Sequence, residues 1–286
     1  MLTDNDRITV PQAVAFLIAT SVGIGILGLP SEVAKAANSD GWILVVRGGV
    51  FSFLLSLITG AFVRKYPEET FIEVSQRVLG KFLSFLLTVV LIVYFAAETG
   101  IITRIFAEVM KAYMLEKTPL QFLIATLLLS SVYLIRHGIE PIARTGEILL
   151  PMLIVPIFAM YVVALPRANF SELLPFLVTP AKQMALGIIP TMLSFVGFEI
   201  LLVVGPYIRS PGRINWILFV SLGTVTAMYL FITVVVFAAL GVDDVKEMMW
   251  PAMTVIRSIS APGRIFERLD ALALALWTIA AYTTIN

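Results

Sequence analysis

Seven stretches of this chain reach or approach the ~20 mainly apolar residues that a helix needs to cross a hydrocarbon layer. They lie at roughly 11–37, 42–63, 82–110, 119–135, 142–165, 184–208 and 214–242. An eighth begins near Leu269 and is still apolar at Asn286, so it is expected to be incomplete here. The apolar runs are continuous and do not alternate with period two, which predicts an all-α membrane bundle and not a barrel. Composition agrees: 59% of the 286 residues are hydrophobic and 14% charged, against an apolar share of roughly 45–50% in soluble domains. A net charge of +1 gives no bulk attraction to nucleic acid. The absence of cysteine excludes disulfides and thiolate metal sites. The polar segment Met1–Val10 lacks the basic start and short apolar core of a cleaved signal, so the first span is expected to remain.

Two connectors are long and alike in kind. In the first, residues 66–81, Phe71, Val74, Val78 and Leu79 recur at helical spacing opposite Glu73, Gln76 and Arg77, the pattern of a helix lying along an interface. In the second, residues 243–268, Trp250, Val255, Ile256 and Ile259 alternate with Lys246, Arg257 and Arg264. An amphipathic segment in the same place, five spans apart, suggests two structural repeats: residues 1–165 with spans one to five, and 180–286 with spans six to eight of an incomplete second copy. An odd number of spans per copy makes the repeats inverted. Folds of that kind place substrate where the leading helix of each repeat is broken.

Both leading helices carry such signals. Span one contains Gly23, Gly25 and Gly28 followed by Pro30; each glycine weakens helix by roughly 1 kcal/mol and the proline removes a backbone bond. Unwound backbone there would present free amides to a small zwitterion, whereas the alternative use of these glycines is close helix packing. Span six contains Pro190, Ser194, Phe195, Gly197, Phe198 and Glu199, with Gly205 and Pro206 toward its end. Phe195 and Phe198 are candidates to close over an apolar side chain while Ser194 and freed backbone serve a polar group. The other reading of span six is a proline-kinked helix with ordinary aromatic packing.

Ionisable groups at membrane depth cost about 2.5–3.5 kcal/mol each on insertion scales and mark function by default. Glu98 lies one turn beyond Tyr94, so the two project from one face of span three. Glu98 and Glu199 are the candidates for proton acceptors or partners of a substrate ammonium. Arg104 and Glu108, four apart, are expected to pair with each other, and Arg47, near the start of span two, to reach the interface. His137 stands in a polar connector, and neither a zinc ligand pair nor a phosphate-binding loop is present. No metal, cofactor or enzymatic activity is therefore expected. Basic residues divide evenly between the two sides and leave orientation open.

The opening I-T-V-P-Q at 8–12, G-I-G-I-L-G-L-P at 23–30, F-V-G-F-E at 195–199, and R-I-F-E-R-L-D-A-L at 264–272 followed by W-T-I-A-A-Y-T-T resemble the spore germination permease family. Its members are the B subunits of endospore germinant receptors, relatives of the amino acid/polyamine/organocation transporters. The resemblance covers the whole chain. It implies a five-plus-five inverted-repeat bundle with helices one and six interrupted. On that pattern this chain would lack the end of span eight and all of nine and ten. It implies a sensor in the spore inner membrane for a small nutrient, commonly an amino acid, working with A-type and C-type subunits. Its pocket would be lined by Gly25 and its neighbours, Tyr94 and Glu98, Phe195–Phe198, and Thr278 and Tyr282 in span eight. Thr278 and Tyr282 are four apart and would share a helical face. The rival expectation is a proton-coupled amino acid transporter.

Overall fold

In the computed structural model, residues 7–258 are described. Span eight from Leu269, with Thr278 and Tyr282, and the family-like segment 264–272 lie outside the described residues. The helices are α1 (Val10–Ala37), α2 (Gly41–Lys65), α3 (Phe71–Tyr113), α4 (Leu120–Ile135), α5 (Ile139–Ala164), α6 (Ala181–Leu193), α7 (Leu201–Val204), α8 (Ile214–Leu240), α9 (Val242–Glu247) and α10 (Pro251–Ser258). α1 to α8 cover the seven predicted stretches, the sixth being shared by α6 and α7, while α9 and α10 fall in the second long connector. By length and composition, four helical segments among the described residues can cross a membrane: Gly25–Lys65 taken through its turn, Phe71–Tyr113, Ile139–Arg167 and Pro211–Leu240. The bent pair Ala181–Leu193 and Phe198–Tyr207 makes a fifth, while Val10–Gly23 and Leu120–Ile135 are shorter apolar helices. The chain is a multi-pass membrane protein.

Local chemistry sets the boundaries. Thr9 precedes α1, its amide donating to Gln12 Oε1 at 2.9 Å, and Pro11 sits in the first turn, where no amide is needed. Thr70 and Glu73 form a capping box at the start of α3: Thr70 N donates to Glu73 Oε2 at 2.6 Å, and Glu73 N donates to Thr70 Oγ1 at 3.4 Å. Gly80, at φ 79°, bends α3 between its amphipathic lead and its long span, a conformation glycine adopts without a Cβ penalty. Across the bend Ser75 Oγ and Ser84 Oγ lie 2.6 Å apart. Where sheltered hydroxyls meet each other, the bend leaves little polar surface facing apolar surroundings.

α8 is the central post. Of its residues Leu218, Val225, Tyr229, Val236 and Phe237 are buried, and it packs along both α1 and α2. A main core joins Val22, Leu29, Val33, Leu44, Phe195, Tyr229 and Phe237, and a second cluster gathers Phe16, Leu17, Val204, Ile208, Ile214 and Leu218 near one end. α3 lies at the edge, against α4 and a short part of α1. Phe82 on α3 is 84% exposed and Leu129 on α4 70%. Large apolar side chains displayed on this scale belong against lipid.

Span one and the sixth span run antiparallel and are joined at both ends. Ile8 N donates to Tyr207 O at 2.8 Å and Arg209 N to Ile8 O at 3.0 Å, a parallel bridge beside the second cluster. At the other end Thr179 Oγ1 donates to Ala37 O at 2.8 Å. There the fully buried Asp40 accepts from Leu177 N at 2.6 Å and Thr179 N at 2.8 Å, and Ser39 Oγ donates to Pro175 O at 2.8 Å. Leu177 is held at φ 58°. Trp42 adds an edge-to-face contact with Phe176 at 6.1 Å. The loop before α6 is thereby fastened onto the α1–α2 turn.

Candidate functional site

The sixth span breaks where Pro190, Ser194 and Gly197 predicted. α6 ends at Leu193, turns occupy 194–197, and the next helical segment departs at 53°. Span one corrects the expectation of unwinding: helix continues from Val10 to Ala37 through Gly23, Gly25 and Gly28. The glycines are used for approach. A Cβ built on Gly25 would lie 2.3 Å from Tyr229 Oη and 2.6 Å from Ser194 O. Only a residue without a side chain lets the break lie against α1 at this depth. Gly197, at φ 126°, is restricted twice, since a Cβ there would also lie 2.9 Å from Thr20 Cγ2.

Tyr229 fastens the contact from α8. Its hydroxyl lies 2.7 Å from Ser21 O and 3.0 Å from Ser194 O, donating its one proton between a carbonyl of α1 and a carbonyl released by the break. Its ring meets Phe195 edge-on at 5.1 Å. Sequence reasoning missed this residue, because a single tyrosine in an apolar span reads as filling; the available signal is that a buried phenol requires an acceptor. Tyr229→Phe is expected to lower stability by about 1–3 kcal/mol, the cost of stranding buried carbonyls. Thermal unfolding of the detergent-solubilised protein measures it, and an unchanged midpoint would remove the clasp.

Opposite the break lies a cavity of about 550 Å³. Thr20, Ser21, Gly25, Gly28, Leu29 and Glu32 of α1 form one wall, Tyr94, Ala97, Glu98, Ile101, Ile102 and Ile105 of α3 another, and Pro190, Leu193, Ser194 and Val196 of the sixth span the third. The α3 set recurs at i, i+3, i+4, i+7, i+8 and i+11, one face of a regular helix. Of the residues singled out in the sequence, Gly25, Gly28, Tyr94, Glu98 and Ser194 line the cavity. Gly23 is buried in α1 and does not line it. Phe195 and Phe198 do not close over it: the break turns Phe195, fully buried, into the core against Tyr229, and Phe198 packs on the second cluster. Gly197 backs onto Thr20. Glu199 stands at the edge, accepting from Gly197 N at 3.0 Å through one oxygen and from the Tyr94 hydroxyl through the other.

Glu98 in the wall and Glu199 at the edge are linked through Tyr94, which shares the α3 face with the first and bonds the second, and neither takes part in the ion pairs among the described residues. Glu32, which the sequence reading passed over, pairs with Lys35 at 3.6 Å. Arg104 pairs with Glu108 as expected, Arg47 is exposed, and exposed His137 bonds Tyr133 O through Nδ1 at 2.8 Å. Among the described residues no group of three or more His, Cys, Asp or Glu is placed to hold a metal ion. The arrangement can hold a small molecule with an apolar body and a polar end at the carboxylates.

The profile of a family described as spore germination protein matches residues 7–286. The chain belongs to that family. Spore germination protein YndE of Bacillus subtilis (strain 168) is 31% identical over 285 residues, covering 99% of this chain and 78% of the relative. Spore germination protein B2 of the same organism is 26% identical, covering 97% and 76%, and GerLB of Bacillus cereus 24%, covering 93% and 72%. Among solved structures, this germination-family chain is similar to MhsT in complex with L-phenylalanine, with a TM-score of 0.71, 16% identity and coverage of 96% and 70%. It is also similar to a substrate-bound Na+-coupled sialic acid symporter, with a TM-score of 0.70, 15% identity and coverage of 98% and 63%. At such identities the likeness establishes the transporter fold alone. The germination-family chain is thus a permease-like membrane protein on that fold.

Proposed function

We propose that this chain is the nutrient-sensing subunit of a spore germinant receptor, and that it binds a small amino compound between α1, α3 and the broken sixth span. The observation that carries the reading is the break itself, pressed onto Gly25 and faced across a cavity by Tyr94 and Glu98. On this reading the chain contains two inverted repeats, 1–165 and 180–286. Ligand shifts an equilibrium between two packings of the bundle, which A-type and C-type partner subunits read out in the spore inner membrane. The family membership and the germination proteins it resembles support this assignment.

A proton-coupled amino acid transporter is the second reading, favoured by the transporter fold and by two membrane-depth carboxylates beside one cavity. Binding and uptake assays with labelled amino acids, using full-length protein in vesicles, separate the two. A receptor binds without accumulation, whereas a transporter accumulates label. Glu199→Gln is expected to weaken ligand binding by about tenfold or more, because an acceptor at charged-bond strength, roughly 1.5–3 kcal/mol, is lost at the break. Undiminished binding by that variant would separate Glu199 from the site.

A further inference from the structure

We infer that the cavity selects ligands by an ammonium group and, among the described residues, sets no basic side chain against a carboxylate, so that its preferred occupant is a net-cationic organic amine. The inference rests on reading the cavity as the ligand site. Among the described residues, none that lines it is Lys, Arg or His. Carboxylates stand at three points around it: Glu32 and Glu98 in the walls and Glu199 at the edge. The nearest cation on α1, Lys35, is already held by Glu32, and Arg104 on α3 by Glu108. Glu98 and Glu199 have no basic partner among those ion pairs.

The backbone points the same way. A carboxylate would need donor amides, and α1 keeps its helical bonding through the glycines. Around the break, Ser194 N donates to Thr191 O, Phe195 N to Met192 O and Gly197 N to Glu199. The Tyr94 hydroxyl is likewise spent on Glu199. Toward the cavity stand the carboxylates and the hydroxyl groups of Ser21 and Ser194, a setting whose negative charge stabilises an ammonium and repels a carboxylate. Ile101, Ile102, Ile105 and Leu193 supply an apolar surface that suits a hydrocarbon body and not a bare alkali ion.

The test holds the hydrocarbon body constant and varies its charge. Binding of 3-methylbutylamine, leucine and 4-methylpentanoate to full-length protein is measured by thermal shift and by isothermal titration at fixed ionic strength, with potassium chloride as the inorganic cation. The amine is expected to bind about tenfold tighter than leucine, and the acid weakest of all. Glu98→Gln is expected to remove most of the amine's advantage over leucine. The wild-type series stands by itself should that variant fold poorly. Acid binding as tightly as amine, leucine binding tighter than amine, or potassium chloride reproducing the amine's shift would each overturn the inference while leaving the cavity a site. If none of the three organic compounds binds, the cavity is not a ligand site and the inference falls with its premise.

Discussion

Gly25→Ala is expected to destabilise the bundle by roughly 2–4 kcal/mol, well beyond the effect of the same substitution at Gly28. The added methyl would lie 2.3 Å from Tyr229 Oη and 2.6 Å from Ser194 O, well inside contact distance. Neither neighbour can give way cheaply. Ser194 O is backbone at the break, and the Tyr229 ring is fully buried against Phe195. Overpacking of this kind costs about 1–3 kcal/mol, and displacing the tyrosine hydroxyl adds about 1 kcal/mol for lost hydrogen bonding. Gly28→Ala is the control, since a Cβ there meets nothing closer than Met249 O at 4.0 Å. Its alanine is expected to be neutral or slightly stabilising through helix propensity. Equal melting of the two variants would mean that α1 and the break are not in contact at Gly25.

Asp40→Ala is the second substitution with a large expected cost, about 3–5 kcal/mol. Its carboxylate, at 0% exposure, accepts two backbone amides on the loop before α6, from Leu177 and Thr179. Charge-assisted bonds of this type contribute about 1.5–3 kcal/mol each. Alanine would strand both amides and also release Leu177, whose left-handed backbone costs about 1–3 kcal/mol to hold. Asp40→Asn is expected to do nearly as much damage, because its amide offers one acceptor and turns an N–H toward the other donor. Limited proteolysis of residues 168–180 is the readout, with both variants cut faster than wild type. Unchanged protection would show that the loop is held by its apolar contacts instead.

The transporter-type helical bundle was legible because spanning helices must be long, apolar and internally bonded, and such runs leave a plain trace. The face of α3 was legible too: Tyr94 and Glu98 stay four residues apart on an unbroken helix, so their common direction follows from spacing alone. The sixth span announced its break through Pro190 and Gly197. What periodicity could not give was the direction of side chains beyond that break, where the helical phase is lost, and Phe195 and Phe198 point away from the cavity for that reason. Gly23, Gly25 and Gly28 are compatible with unwinding or with close approach, and the choice depends on Tyr229, some 200 positions along the chain. Asp40 was illegible on the same ground, its partners Leu177 and Thr179 being remote in sequence.

Span one and the sixth span are secured to each other three times: at Ile8, at Ala37, and through Tyr229 between them. A pair of rods pinned at both ends and riveted at mid-length can neither slide nor scissor, and so moves as one plate. Among the described residues α3 meets α1 over a short stretch and reaches the sixth span through the Tyr94–Glu199 bond. On the proposed reading, a ligand in the cavity would meet that plate on one side and the Tyr94–Glu98 face of α3 on the other.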